Sequence, residues 1–229
     1  MKKTALITGA SRGIGRSIAK KLARNGYELY LICHNDKAAL NDLPGMHFAG
    51  DVGDHDFIRS VFSEISHLDV LINNAGISHI GLLQDMSDSE WAKVIRTNLT
   101  SAFNTCHEAI PLMLSSGSGR IINISSVWGR VGASTEVAYS ASKGGLNAFT
   151  MALAKELAPS NIQVNAISCG VIDTDMNSGF TQEEREELVN EIPACRMGTP
   201  DDVADFVYSL CEANTYLTGQ VIDFAGGWI

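Results

Sequence analysis

The chain has few prolines, few cysteines and no long apolar run, and each shortage removes a class of protein. Only 5 prolines occur in 229 residues, and no proline- or serine-rich tract or internal repeat interrupts them. Neither an interdomain linker nor a low-complexity segment is therefore expected. The 5 cysteines, Cys33, Cys106, Cys169, Cys195 and Cys211, are odd in number, widely spread and without C-x-x-C or Cys/His ligand spacing. A disulfide framework and a zinc site are both disfavoured, so no metal is expected. Reduced thiols fit a cytoplasmic protein. No stretch approaches the roughly 18 apolar residues of a membrane span. The apolar run after Met1-Lys2-Lys3 stops at Gly9, too short for a signal peptide, and reads as a buried strand. Cations are scarce as well: 17 Lys and Arg stand against 26 Asp and Glu, a net charge of −9 with no basic block. Nucleic acid and membrane surfaces are thus not expected partners.

What the chain does have is alternation. Short apolar runs at Thr4–Thr8, Glu28–Cys33, Met46–Ala49, Val70–Asn73, Arg120–Ile124, Ile162–Ile167 and Val221–Asp223 read as strands. Helical patterns fill Ile14–Asn25, Asp54–Ser66, Asp88–Ser115, Tyr139–Ala158 and Pro200–Glu212. Asp36–Asn41 fits a helix turn or a loop. Several strands are apolar at successive positions, the mark of strands covered on both faces. Strand–helix alternation then implies right-handed crossovers and an α/β fold, a doubly wound parallel sheet of Rossmann type in one domain over residues 1–229. Asp54 and Ser87 or Asp88 are expected helix caps, and Pro200-Asp201-Asp202 a favourable helix start.

The first strand runs into Thr8-Gly9-Ala10-Ser11-Arg12-Gly13-Ile14-Gly15 and then a helix. Glycines there allow a tight turn and close approach, while the helix N-terminus offers N–H groups to a pyrophosphate; a plain glycine-rich turn is the alternative. Asp51, with its neighbour Val52, ends the third strand, and Asn73-Asn74-Ala75-Gly76 ends the fourth. All lie at carboxyl ends of strands, where open α/β sheets bind ligands. Asp51 suits an adenine amino group or, equally, a turn. At the end of the second strand, where NAD sites place an acid, the chain reads Ile32-Cys33-His34-Asn35. With Cys33 at the acid position, and Arg12 and His34 available to a 2′-phosphate, NADP(H) is expected over NAD(H). A solvated loop charge is the other reading of Arg12.

Tyr139 and Lys143 stand at i and i+4, one turn apart on a helix face. A nearby ammonium stabilises phenolate, which makes Tyr139 a candidate general acid or base with a lowered pKa. Without such a role the pair is an exposed tyrosine beside a solvated lysine. Ser126 follows a strand at the same sheet edge and can hydrogen-bond a carbonyl as charge grows on its oxygen. No G-x-S-x-G elbow surrounds it, which disfavours a serine hydrolase.

Together, Thr8-Gly-Ala-Ser-Arg-Gly-Ile-Gly15, Asn73-Asn-Ala-Gly76, Asn98, Ser126 and Tyr139-x-x-x-Lys143 resemble the short-chain dehydrogenase/reductase family, in order and spacing, across nearly the whole chain. Leu217–Gly227 is similar to its β-ketoacyl-reductase-like branch. The resemblance implies Tyr139 as catalytic acid in reduction and base in oxidation. It implies that Lys143 binds the nicotinamide ribose and lowers the Tyr139 pKa, that Ser126 orients the carbonyl, and that Asn98 holds a relay water. It places Ile172 and Thr174 at the nicotinamide carboxamide. A local kink at Asn98 is consistent with that role. It also implies a homotetramer, with a dimer as fallback, built on the two long helices. Their outer faces would offer Ala102, Phe103, Cys106, Leu146, Phe149 and Leu153, though these also fit an internal core.

Two departures stand out. Cys169-Gly170 replaces the family's Pro-Gly, and Cys169 reads as a small buried residue. Carrier-protein reductases of this branch carry docking arginines where this chain has Gly117 and Ser160. Met176–Thr199, with Phe180, Leu188 and Ile192 turned inward and Glu183–Glu187 solvated, reads as a helical lid. Trp128 fits a pocket wall or plain packing. The expected activity is reduction of a small-molecule or acyl-thioester ketone to a secondary alcohol. The rivals are a 3-oxoacyl-carrier-protein reductase of fatty-acid synthesis and a non-catalytic NADP-binding regulator on the same fold.

Overall fold

A computed structural model describes residues 2–177, 179 and 181–229. Strands β1 (Thr4–Thr8), β2 (Glu28–Cys33), β3 (Met46–Ala49), β4 (Val70–Asn73), β5 (Gly119–Ser126), β6 (Ile162–Cys169) and β7 (Val221–Phe224) form one sheet. The order is β3-β2-β1-β4-β5-β6-β7, every pairing parallel. The first four strands have the bounds that their apolar runs imply. β5 and β6 run two residues past theirs, because Ser125-Ser126 and Ser168-Cys169 continue the ladder after the apolar pattern has stopped.

Alternate residues of each strand feed two cores. Ala5, Ile7, Leu31, Ile72, Ile122 and Ile167 meet helices α1 (Gly13–Arg24) and α8 (Pro200–Cys211) on one face. Leu6, Ile32, Leu71, Ile121 and Val164 meet α2 (His55–Phe62), α4 (Ser101–Ser116) and α6 (Val137–Leu157) on the other. Each leucine, isoleucine or valine among them, fully buried, contributes about 1.5–3 kcal/mol of transfer free energy. The remaining helices are α3 (Asp88–Ile95), α5 (Trp128–Val131) and α7 (Gln182–Glu191). Asp36–Asn41 resolves as a 3₁₀ turn, Lys37–Leu40, capped by the Asp36 carboxylate accepting from Ala39 N at 3.2 Å. Asp54, Ser87 and Thr199 cap α2, α3 and α8, the last with Pro200 in the first turn.

Two expectations need correction. The single helix over Asp88–Ser115 is divided: a π-helical turn, Arg96–Thr100, separates α3 from α4. Of the six apolar residues assigned to an outer helix face, Ala102, Cys106, Leu146 and Leu153 are buried within the chain and Phe149 partly so. Only Phe103, 48% exposed, stands clearly outward. The helix-period pattern marked the stripe facing the sheet. In the lid region α7 buries no residue along its length, although Ile192 just beyond it is buried and Leu188 partly so. Phe180 lies outside the described residues.

Candidate active site

Strand order reverses between β1 and β4, so the connections leaving their carboxyl ends diverge and open a crevice. A cleft of about 730 Å³ lies there. Of the residues expected from sequence to bind the cofactor or take part in catalysis, all but Gly15 and Asn98 line it.

At one end of the cleft the chain leaves β1 through Gly9, with φ of +68°, a left-handed conformation that glycine adopts without a Cβ clash. Thr8 Oγ1 accepts from Asn74 N and Ala75 N, both at 3.0 Å. Asn74 Nδ2 donates to Thr8 O at 2.9 Å and Gly9 O at 3.2 Å. Asn74 thus pins the glycine-rich turn to the β4 loop. Arg12, at the N-cap of α1, makes no side-chain cap, and the first-turn N–H groups have no carbonyl of their own helix to reach. Gly15 is absent from the cleft wall because its role is close approach: a Cβ there would lie 2.3 Å from Gly9 O.

Where β2 and β3 end, Asp51 serves its own turn, Oδ1 accepting from Gly53 N at 2.7 Å, while Oδ2 pairs with Arg96 at 3.0 Å. Val52 is buried, its carbonyl held by Asn104 Nδ2 at 3.1 Å. Cys33 is 1% exposed, its Sγ 3.4 Å from Phe48 O, and burial pushes its thiol pKa up. His34 is exposed on the cleft wall. Among the described residues the carboxylates lining the cleft are Asp51 and Asp175, and none ends β2. Arg12 crosses the mouth to Asp175 at 3.2 Å.

At the opposite end Ser126 closes β5 in register with Cys169 of β6. Tyr139 and Lys143 face it from the start of α6, both buried. Lys143 Nζ donates to Ile124 O at 2.8 Å and lies 5.7 Å from the centre of the Tyr139 ring. The lowered Tyr139 pKa expected from that neighbour is not what this geometry produces. Burial dominates and raises it, with the Ser126 hydroxyl pulling the other way. Tyr139 is therefore a protonated phenol at neutral pH, ready as an acid. Asn98 sits in the π-turn, a distortion frequent at functional sites. Its Oδ1 accepts from Ile77 N at 2.8 Å, and its Nδ2 donates to Ile77 O at 2.9 Å and Ser142 Oγ at 3.0 Å. That side chain acts as a clamp between the β4 loop and α6. Ile172 and Thr174 line the cleft beyond β6, and Thr174 Cγ2 would lie 3.4 Å from a Cβ on Gly13. Cys169 also lines the cleft, with burial pushing its thiol up to about 12. Trp128 packs edge-on against Trp228 at 5.1 Å and is not part of the cleft lining.

Sequence reading missed one whole wall. Ser89, Ala92, Lys93, Arg96 and Thr97 line the cleft from α3 and the π-turn. Their i, i+3, i+4, i+7, i+8 spacing marks one helix face. The stripe is polar, so an apolar-moment reading passes over it.

Lys143 carries a stability cost. Burial lowers its ammonium from the ordinary lysine range to about 8, a penalty of about 3 kcal/mol. A depressed lysine binds fewer protons folded than unfolded, so the cost is fully present below pH 8 and fades as pH rises to about 10.4. Lys143→Met removes it, less about 1 kcal/mol for the lost hydrogen bond. The variant should be inactive yet melt about 4–8 °C higher at pH 7, with the gain shrinking by pH 10. A lower melting point at pH 7 would contradict this account.

The chain matches the family model for short chain dehydrogenases over residues 3–185. It is 39% identical to an uncharacterized oxidoreductase of Bacillus subtilis, covering 100% of this chain and 99% of that one. It is 42% identical to a 3-oxoacyl-(acyl-carrier-protein) reductase of Staphylococcus aureus, covering 99% and 98%. A solved structure of a candidate gluconate dehydrogenase from Agrobacterium tumefaciens superposes with a TM-score of 0.94 at 33% identity, over 99% of this chain and 95% of that one. With a seven-stranded parallel sheet and a cleft at its carboxyl edge, the chain belongs to the short-chain dehydrogenase family and is an oxidoreductase acting on the CH–OH/carbonyl couple.

Proposed function

We propose that this protein is an NADP(H)-dependent ketone reductase, taking a small carbonyl or a 3-oxoacyl-type substrate to the secondary alcohol, and that it works as one domain in a cytoplasmic homotetramer. One observation carries the reading: Ser126, Tyr139 and Lys143 line the end of the same cleft whose other end is the uncapped N-terminus of α1. The cradle fits a dinucleotide, since Gly9 and Gly15 leave the backbone bare where a Cβ would fill the approach. Gly9, Ser11, Arg12, Gly13 and Ile14 would hold the pyrophosphate, Asp51, Val52, Asn74, Ala75 and Gly76 the adenosine side, and Lys143, Ile172 and Thr174 the nicotinamide side. When bound, the nicotinamide supplies the hydride in reduction and accepts it in oxidation.

The protein's own part is positioning and proton transfer. Ser126 Oγ accepts from Trp128 N at 3.2 Å, and its hydroxyl, which meets that of Tyr139, can turn its proton to a carbonyl oxygen. Tyr139, kept protonated by burial, donates its proton to that oxygen as negative charge develops. Lys143 sits behind it, and Asn98 fixes Ser142, whose Oγ donates to Tyr139 O at 2.7 Å. Asn98 is a positioning residue.

Arg12, His34 and the absence of a carboxylate at the end of β2 support NADP(H). A 2′-phosphate would draw Arg12 from Asp175. NADPH should bind more tightly than NADH, and Arg12→Ala should narrow the gap about tenfold, as the loss of one charge-assisted contact implies. The Staphylococcus relative is named for a carrier-bound substrate. In this chain Gly117 and Ser160 stand before the amino ends of β5 and β6, on the sheet edge opposite the cleft. The length of β5 alone puts Ser126 about 23 Å away. A net charge of −9 repels an acidic carrier, so a free ketone or short thioester should serve at least as well as the carrier-bound acyl group. The test is NADPH oxidation with one acyl group presented both ways, at low and high salt, beside fluorescence titration of both cofactors. Equal cofactor affinities would refute the NADP(H) reading. A large salt-sensitive preference for the carrier-bound form would make this a carrier-protein reductase.

A further inference from the structure

Outside the cleft, α2 and α4 bring two imidazoles and a carboxylate together. His55 is the first residue of α2, and His107 and Glu108 are consecutive on α4. His55 Nε2 lies 2.9 Å and His107 Nδ1 lies 3.1 Å from the same Glu108 Oε1, and one ligand atom from each of the three residues falls within a 4.8 Å sphere of separations. None of the three lines the cleft.

Zinc–nitrogen and zinc–oxygen bonds of about 2.0–2.2 Å place tetrahedral ligands about 3.3 Å apart. Both imidazole-to-carboxylate edges are already near that value. The third edge, between the imidazoles, lies within the same 4.8 Å limit, and the His107 side chain is 59% exposed. Phe103 braces both rings, edge-on to His55 at 6.0 Å and tilted against His107 at 5.7 Å. Asp54 caps α2 beside His55, which offsets the positive end of that helix dipole. Two borderline imidazoles beside one carboxylate suit Zn²⁺ over the hard cations Mg²⁺ and Ca²⁺, which favour all-oxygen sites.

We propose that His55, His107 and Glu108 bind a divalent transition-metal ion of the Zn²⁺ class, which clamps α2 to α4 and keeps a fourth position for solvent. The site lies apart from the carbonyl chemistry, since none of its three residues lines the cleft.

The test uses the full chain in a Cys195→Ser background, which removes the one exposed thiol. The protein is stripped with a chelator and titrated calorimetrically with ZnCl₂. One saturable equivalent per chain is expected. His107→Ala, His55→Ala and Glu108→Gln should each weaken it at least about tenfold, the smallest cost usual for a mere outer-shell partner. The melting point should rise with Zn²⁺ in the parent and not in His107→Ala, while reductase turnover stays unchanged in both. Co²⁺ should give the visible absorption of a four-coordinate site. His107, being exposed, keeps the test valid even where His55→Ala does not fold. No saturable uptake, or uptake that His107→Ala leaves untouched, overturns the proposal.

Discussion

Tyr139→Phe should lose at least about a hundredfold in turnover while keeping cofactor affinity and fold, the usual scale for removing a positioned acid. The ring is buried at the start of α6, so phenylalanine preserves the packing and deletes only the hydroxyl. That hydroxyl interacts with Ser126, and its loss should cost about 1 kcal/mol of stability, a few degrees of melting point. The contrast between kcat and cofactor affinity separates chemistry from binding. Lys143 touches both ends of that contrast, because its ammonium lies beside the ring and on the cleft wall. Stopped-flow turnover with a saturating ketone, beside cofactor titration of the same variant, decides it. Turnover within tenfold of the parent would refute Tyr139 as the proton donor. So would an unchanged single-turnover rate with a slowed steady state, since product release would then be limiting.

The expected protonation of Tyr139 shows where sequence reasoning stops. Residues at i and i+4 correctly share a helix face, and the pair does meet. Sequence spacing carries no information on desolvation, however, and desolvation decides the sign of the shift at Tyr139. Lys143, expected to act on the phenol, turns its ammonium to the carbonyl oxygen of Ile124 and is itself depressed by burial. The mutual influence is real in space but weaker than what both groups lose by leaving water.

Other parts were legible for physical reasons. β1, β2 and β4 are read residue for residue, because strands buried on both faces are largely apolar and stop where the polarity changes, and the edge strand β3 keeps the same bounds although it is only partly covered. β5 and β6 end in serine and cysteine, so the pattern breaks before the ladder does, and that tail holds Ser126. The π-turn leaves only a poor helix former, Asn98, as a trace. The α3 wall of the cleft was invisible because Lys93 and Arg96 look like any solvated helix face. Their meaning comes from what the strand order sets opposite them.

Gly15→Ala should lower cofactor affinity about tenfold to a hundredfold and destabilise the protein by about 1–3 kcal/mol, through space alone. Gly15 has no left-handed backbone, yet a Cβ there would stand 2.3 Å from Gly9 O and 2.5 Å from Asn74 Nδ2, both parts of the pinned turn. Neither can retreat freely, since Asn74 Nδ2 also holds Thr8 O. The first turn of α1 must move away from β1, at the cost typical of overpacking. N–H groups aimed at a pyrophosphate are then misplaced, and each lost contact to a charged group is worth about 1.5–3 kcal/mol. Gly13→Ala is the natural contrast. Its added Cβ meets only Thr174, at 3.4 Å, but its φ of +52° costs an L-residue about 1–2 kcal/mol. That strain is intrinsic to the residue, so it should appear in the melting point, with a smaller loss of cofactor affinity. Isothermal titration and thermal unfolding of both variants separate the two mechanisms. If Gly15→Ala keeps parental cofactor affinity, the close approach of α1 to the Gly9 turn is not what shapes the phosphate cradle.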